Sequence, residues 1–296
     1  MKRKVIKQGN NTLTITLPKK WTESLGVNGG DELELEESGK SLIVHTEKTS
    51  SKGEIEVDIP KQQYTSRLII MPYIQGYDSI RIRFPDREVY NKIENFSNYL
   101  LGFEIVEQKQ NSCVLKNIAK GMDEEFDTIL NRLFLVAMST GHELIEALKK
   151  NDNSFLKEVD NIERNATKLD MFCRRMINTN NYRGKRPATS IYRINCIMEE
   201  ITDIYRDIAR FVLENNVKAG KDVLDFMKET LDYVDRFYKL YNKSSQKEIR
   251  EFRIEEKALS KKGIDMMKGK KTHDAVLMHY ALSIIEKLHH GSEEMG

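Results

Sequence analysis

The spacing of apolar positions changes twice along the chain. In TLTITLP, Leu13, Ile15 and Leu17 alternate with threonines, which puts three apolar side chains on one face of a strand. Pro18 ends that strand, and WTESLG predicts a short helix stopped by Gly26. Gly29-Gly30-Asp31 turns into ELELE, and Ser38-Gly39-Lys40 turns into SLIVH, so a β-hairpin closes the block. So few residues bury little core alone, and dimerisation is the physical remedy.

From about Gly53 to Ala119 strand and helix patterns alternate. EIEVDIP predicts a strand, and KQQYTSRLIIMPYIQG carries apolar residues at helical spacing, with Pro72 near its end or at a kink. YDSIRIRF predicts a second strand, REVYNKIENFSNYLLG an amphipathic helix, and FEIVEQK with SCVLKNI a hairpin. The order describes a small α/β sandwich. No Gly-rich phosphate loop follows either strand, which leaves a connector or sensor domain, or a pocket.

The remainder follows the helical period. Met122–Lys150 aligns Phe126, Leu130, Leu133, Phe134, Ala137, Leu144, Ile145 and Leu148 on one face. Ser154 is the expected N-cap of a second helix, built on Phe155, Val159, Ile162, Ala166, Leu169, Cys173 and Met176. After the polar turn NTNNYRGKRPAT, a third helix is expected over Ser190–Asn216, and three more over Lys221–Asn242, Gln246–Lys268 and Thr272–Glu294. Six such helices suggest a double bundle. Phe126, Phe134, Phe172, Phe211, Phe226 and Phe237 fall at helical spacing and are expected in the core.

Composition narrows the class. The chain has 296 residues, 32% of them charged, and a formal net charge of +2, which suits a helix-rich protein of two or three domains. Cys113, Cys173 and Cys196 lack CxxC spacing, so neither a disulfide framework nor a thiolate zinc knuckle is expected. With no signal-like segment and no apolar run of about 20 residues, the expected location is cytoplasmic, without direct membrane insertion. Charge is uneven locally. From Met1 to Trp21 every charged side chain is positive: Lys2, Arg3, Lys4, Lys7, Lys19 and Lys20. That arm is a candidate phosphate-contacting surface, or else a solvated strand face.

Candidate metal ligands come from a repeat. IMEEITDIYRDIA matches IIEKLHHG, so that Glu199 aligns with Glu286 and Asp203 with His290. A spacing of four residues puts each pair on one helical face, close enough to share a cation. Asp160, Glu163 and Asp170 form another polar stripe, one position off Val159, Ile162 and Leu169, and Glu255 aligns with Glu163. A solvated charged face has the same pattern. His279 aligns with Tyr192 and is expected in bundle packing. Neither HExxH nor a Ser/His/Asp arrangement is present, and the Glu-x-x-His pairs on facing helices that a di-metal carboxylate enzyme would carry are not evident, so no catalytic activity is expected.

Two resemblances follow. The basic strand, Gly9-Asn10, the alternating strand, Leu17-Pro18, the helix ending Leu25-Gly26 and the Gly30-Asp31-Glu32 hairpin resemble the AbrB/MazE/SpoVT swapped-hairpin family, over about Met1 to Thr46. The resemblance implies a homodimer interleaved into one small barrel that contacts DNA through Arg3, Lys4 and Lys7, with Lys19 and Lys20 behind them. Asn10 and Thr22-Glu23 stand where firm DNA binders of that family often carry arginine. From residue 120 to 296, the repeated acidic pairs resemble the PhoU family of phosphate-uptake regulators, whose third helix often reads Leu-Glu-Arg-Ile-Gly-Asp-His-Ala against Met198 to Tyr205 here. This implies tandem three-helix bundles with divalent or iron-type metal ions on their surface, held by Asp160, Glu163, Glu199, Asp203, Glu286 and His290. The expected architecture is therefore multidomain: a swapped-hairpin β-barrel head (1–47), an α/β connector (53–119), and all-α PhoU-like bundles (120–217 and 218–296). The expected function is a dimeric DNA-binding transcription regulator of phosphate uptake, an archaeal-type fusion, whose bundles sense metal or a transport partner. The alternative is a non-DNA-binding adaptor that controls a phosphate-transport ATPase or sensor kinase by protein contact.

Overall fold

The computed structural model describes residues 1–9, 12–38, 41–46, 52–60, 64–119, 125–179, 182 and 184–295. It divides into two units, Met1–Ser51 and Lys52–Gly296.

In the first unit, β1 (Ile6–Gln8) pairs antiparallel with β2 (Thr12–Thr14), setting Ile6 opposite Thr14 and Lys7 opposite Leu13. Pro18 caps α1 (Lys19–Leu25), where its fixed φ suits a helix start and its missing N–H costs nothing. Gly26 closes the helix at φ 64°, a left-handed conformation that favours glycine. The hairpin β3 (Glu34–Ser38) and β4 (Ser41–His45) then pairs Glu34 with His45 and Leu35 with Val44. Asn10 and the Gly39-Lys40 part of the expected turn lie outside the described residues. The alternating strand is shorter than its pattern: it ends at Thr14, and Leu13 and Ile15 are 69% and 52% exposed. Every residue of this unit whose burial is described is exposed or half-buried.

The second unit contains a four-stranded sheet with the order β5-β6-β8-β7, formed by β5 (Glu54–Asp58), β6 (Ser79–Arg83), β7 (Phe103–Gln108) and β8 (Ser112–Asn117). β5 runs parallel to β6, and the other pairings are antiparallel. Alternation on β6 buries Ile80 and Ile82, while Arg81 turns to Glu54 and Glu107 and Arg83 to Glu56 on the other face. Two helices connect the strands. α2 (Arg67–Ile74) carries Pro72 inside its last turn, and α3 (Arg87–Ser97) is capped by Asp86, which accepts from the Val89 N–H at 3.1 Å.

Six long helices follow: α4 (Phe126–Lys150), α5 (Asn153–Asn178), α6 (Ala188–Asn215), α7 (Lys221–Asn242), α8 (Gln246–Met267) and α9 (Thr272–Glu293). The expected start of the first at Met122 lies outside the described residues, as do positions 180, 181 and 183 of the polar turn. Asp152, not Ser154, caps α5: its carboxylate accepts from the N–H groups of Ser154 and Phe155. Ser154 lies already inside the helix, too late to cap it. Helix α4 packs on α5, α6 and α7, and α9 packs on α6, α7 and α8. Five of the six expected core phenylalanines are buried, and Phe211 is half-buried beside His273 and Tyr280. His279 is exposed, contrary to the packing expected of it, because it lies off the α9 stripe of Leu277, Met278, Ala281 and Ile285.

The sheet layer is docked on α5 rather than merely tethered to it. Lys168 donates to Asn98 O at 3.0 Å, Met171 enters the core beneath the sheet, and Asn178 donates to Ile74 O at 2.9 Å. Arg175, 4% exposed at its side chain, donates to Tyr73 O, Tyr77 O and Asp78 Oδ1, each at 2.8 Å, and lies over the rings of Tyr73 and Phe103.

Candidate functional site

An acidic cluster forms where α5 faces α6. Single carboxylate oxygens of Glu163, Glu199 and Asp203 lie within 4.8 Å of one another. The positions follow from helix geometry: Glu199 and Asp203 are one turn apart on α6, and Glu163 meets them from α5. Arg206 sits among them, its Nη1 3.1 Å from Glu163 Oε1 and 2.6 Å from Asp203 Oδ1, while its Nε and Nη2 reach Asp207. Thr167 Oγ1 lies 2.8 Å from Glu163 Oε1 and 3.1 Å from Glu199 Oε1. A hydroxyl has one proton to give, so it donates to one carboxylate and bonds the second only when that carboxyl is protonated.

Electrostatics fit that arrangement. Burial, reinforced by the charges of Asp170 and Asp203, pushes the Glu199 carboxyl up to about 7. Burial raises Asp203 as well, with Glu163 adding to the rise and Arg206 opposing it. Next to the cluster, burial pushes Asp170 up to about 6 against the pull of Arg174. Asp170 is thus no part of a solvated stripe. It is 2% exposed, paired with Arg174 at 2.8 Å and accepting from Asn195 Nδ2 at 2.6 Å. The α5–α6 interface closes over it.

Three of the six expected ligands meet here, and three do not. Asp160 pairs with Arg210 at 2.9 Å. Glu286 and His290 are exposed on α9, and the carboxylate nearest His290 in an ion pair is Glu293, at 3.6 Å. Glu255, aligned with Glu163 in the repeat, pairs with Arg236 instead. Among the described residues, the Glu163/Glu199/Asp203 group is the one acidic cluster with three donors in reach of a common ion. It could hold a metal: three oxygen donors suit a hard divalent cation or iron, and the Arg206 guanidinium marks where positive charge is already held. Arg206 and Thr167 had a sequence signal, three residues after Asp203 and four after Glu163. Acid pairs alone did not single them out.

The basic candidates lie in the first unit. Arg3 and Lys4 precede β1, Lys7 lies on it, and Lys19 and Lys20 open α1; all five are exposed. Lys19 faces Glu23 at 3.7 Å, whereas Arg3, Lys4, Lys7 and Lys20 form no ion pair with a described residue. Residues 6–54 match the family model for antidote-toxin recognition MazE, a bacterial antitoxin. The chain carries an N-terminal MazE-type domain. That MazE-type segment holds β1 to β4, and the packed helices lie beyond it. No curated protein and no solved structure shows a significant match to the chain. No described helix is long and apolar enough to cross a membrane.

Proposed function

We propose that the chain is a dimeric DNA-binding regulator, non-catalytic, in which the MazE-type domain contacts DNA and the helical unit senses a ligand or partner. One observation carries this reading. The MazE-type unit exposes Val5, Ile6, Leu13, Ile15, Leu35 and Leu42, and keeps Arg3, Lys4 and Lys7 free of ion pairs among the described residues. Exposed apolar side chains in so small a unit call for a second copy, and unpaired cations beside them suit a phosphate backbone. Coupling the helical unit to DNA requires its ligand to prefer one arrangement of the dimer.

The regulated process is phosphate uptake, on the sequence resemblance of residues 120–296 to the PhoU family; the effector is a divalent or iron-type ion at Glu163, Glu199 and Asp203. The test is fluorescence anisotropy with DNA from upstream of the chain's own gene and of neighbouring transport genes, across a salt series. Sequence-selective binding, weakened in Lys4→Ala and Lys7→Ala with the salt slope reduced by about 0.9 for each lost contact, is the expected result. Binding no stronger than to random DNA and unchanged in the variants sinks this reading and leaves the adaptor that acts by protein contact.

A further inference from the structure

A groove of about 810 Å³ opens between the C-terminal turn of α3 and the middle of α5. Its volume lies in the range of small-molecule sites. Three asparagines that line it, Asn95, Asn98 and Asn165, make no side-chain hydrogen bond to a described residue, and neither does the exposed Arg164. Each free amide offers two donors and an acceptor, the pattern that reads hydroxyl groups. Phe96 and Tyr99 add a flat, half-buried wall, stacked with centroids 5.6 Å apart and planes at 27°. Such a wall accepts another planar ring.

The charge of the groove is set by what its ions already do. Glu163 borders it, but that carboxylate is held by Arg206 and Thr167. Lys168 uses one donor on Asn98 O and keeps two, and Arg164 keeps its whole guanidinium. The uncompensated charge at this wall is therefore positive and suits one anionic group. A planar ring, hydroxyls and one anion in a space of this size describe a nucleotide.

We propose that the groove between α3 and α5 binds a mononucleotide-class ligand: its ring on Phe96 and Tyr99, its sugar hydroxyls on the asparagine amides, and its phosphate on Arg164 and Lys168. Such a ligand bridges the sheet layer and α5, and so stiffens their contact. The site lies within the second unit, and the proposal stands whether or not the chain binds DNA.

Calorimetric titration of the full chain tests this, with adenosine, guanosine, cytidine and uridine 5′-monophosphates as probes and with adenosine and inorganic phosphate as controls. Saturable binding of at least one monophosphate, about tenfold or more tighter than adenosine or phosphate, is expected. Arg164→Ala and Asn165→Ala should each weaken it several-fold at unchanged circular dichroism, since both side chains lack partners among the described residues. The proposal is overturned if none of the four monophosphates saturates by millimolar concentration, if both variants bind like the wild type, or if inorganic phosphate alone binds as tightly as the nucleotide.

Discussion

Arg175 Nη2 lies 2.8 Å from Asp78 Oδ1, an ion pair that joins α5 to the turn before β6. The guanidinium also serves two backbone carbonyls, so its loss strands three acceptors at the joint between helix and sheet layer. Arg175→Met is expected to cost about 2–4 kcal/mol, because a buried charged partner leaves unsatisfied groups behind it. Asp78→Asn should cost less, since Asp78 is about a third exposed and Arg175 keeps its carbonyls. Urea denaturation gives both values, and hydrogen exchange should show the loss first in α2. Equal costs for the two variants would contradict the assigned weight of the carbonyl bonds.

The Glu199 carboxyl has a sign opposite to that of an ordinary surface acid. Its value in the folded chain is about 7 against an ordinary 4.5, so the folded state holds the proton more tightly than the unfolded state does. Its contribution is full below 4.5 and is lost as pH rises to about 7. Asp170, raised from 3.8 to about 6, acts in the same direction. Folding stability should therefore fall between about pH 4 and pH 7. Glu199→Gln should flatten part of that slope and gain about 1–3 kcal/mol at pH 8, since each tenfold difference in proton affinity is worth about 1.4 kcal/mol, while changing little at pH 4. Paired denaturation curves at the two pH values decide it.

Arg206 and a metal ion compete for the carboxylates of Glu163 and Asp203. In Arg206→Met the cluster keeps its oxygen donors and loses its internal cation, so Mn²⁺ should bind about tenfold or more tightly than to the wild type. Glu163→Gln combined with Arg206→Met should abolish that gain. Titration followed by electron paramagnetic resonance reads the free ion directly; no binding in Arg206→Met removes the cluster as a metal site.

The exposed apolar face of the MazE-type unit predicts its assembly. Leu13→Asp should convert the full chain from dimer to monomer in sedimentation velocity, because a carboxylate on that face cannot be buried unpaired. Melting of the helical unit should stay within a few degrees of the wild type. A chain that is monomeric before the substitution refutes dimerisation through this unit.

Much of the architecture was legible because it rests on local rules. The period of apolar residues located α7 at Lys221–Asn242 to the residue, α8 and α9 within one residue and α6 within two. Pro18 and Gly26 bracketed α1 through backbone restrictions that no partner alters. Caps were less secure. Asp152 and Ser154 both have the oxygen a cap needs, and only the path of the chain out of α4 decided between them.

The order of strands and helices, the shared face of Glu199 and Asp203 and the all-positive start of the chain belong to the sequence, since each depends on neighbours within a turn or a strand. Which charges meet belongs to the packing. Glu163 joined Glu199 and Asp203 because α5 crosses α6 there, whereas Glu286 and His290, carrying the same spacing, stayed exposed on α9. Asp170 looked like surface and lies in the core, since an offset of one position on a helix becomes burial once a second helix covers it. The bonds from Arg175 to residues about 100 positions earlier have no period to reveal them. They arise only when burial of Met171 beneath the sheet brings the two segments together.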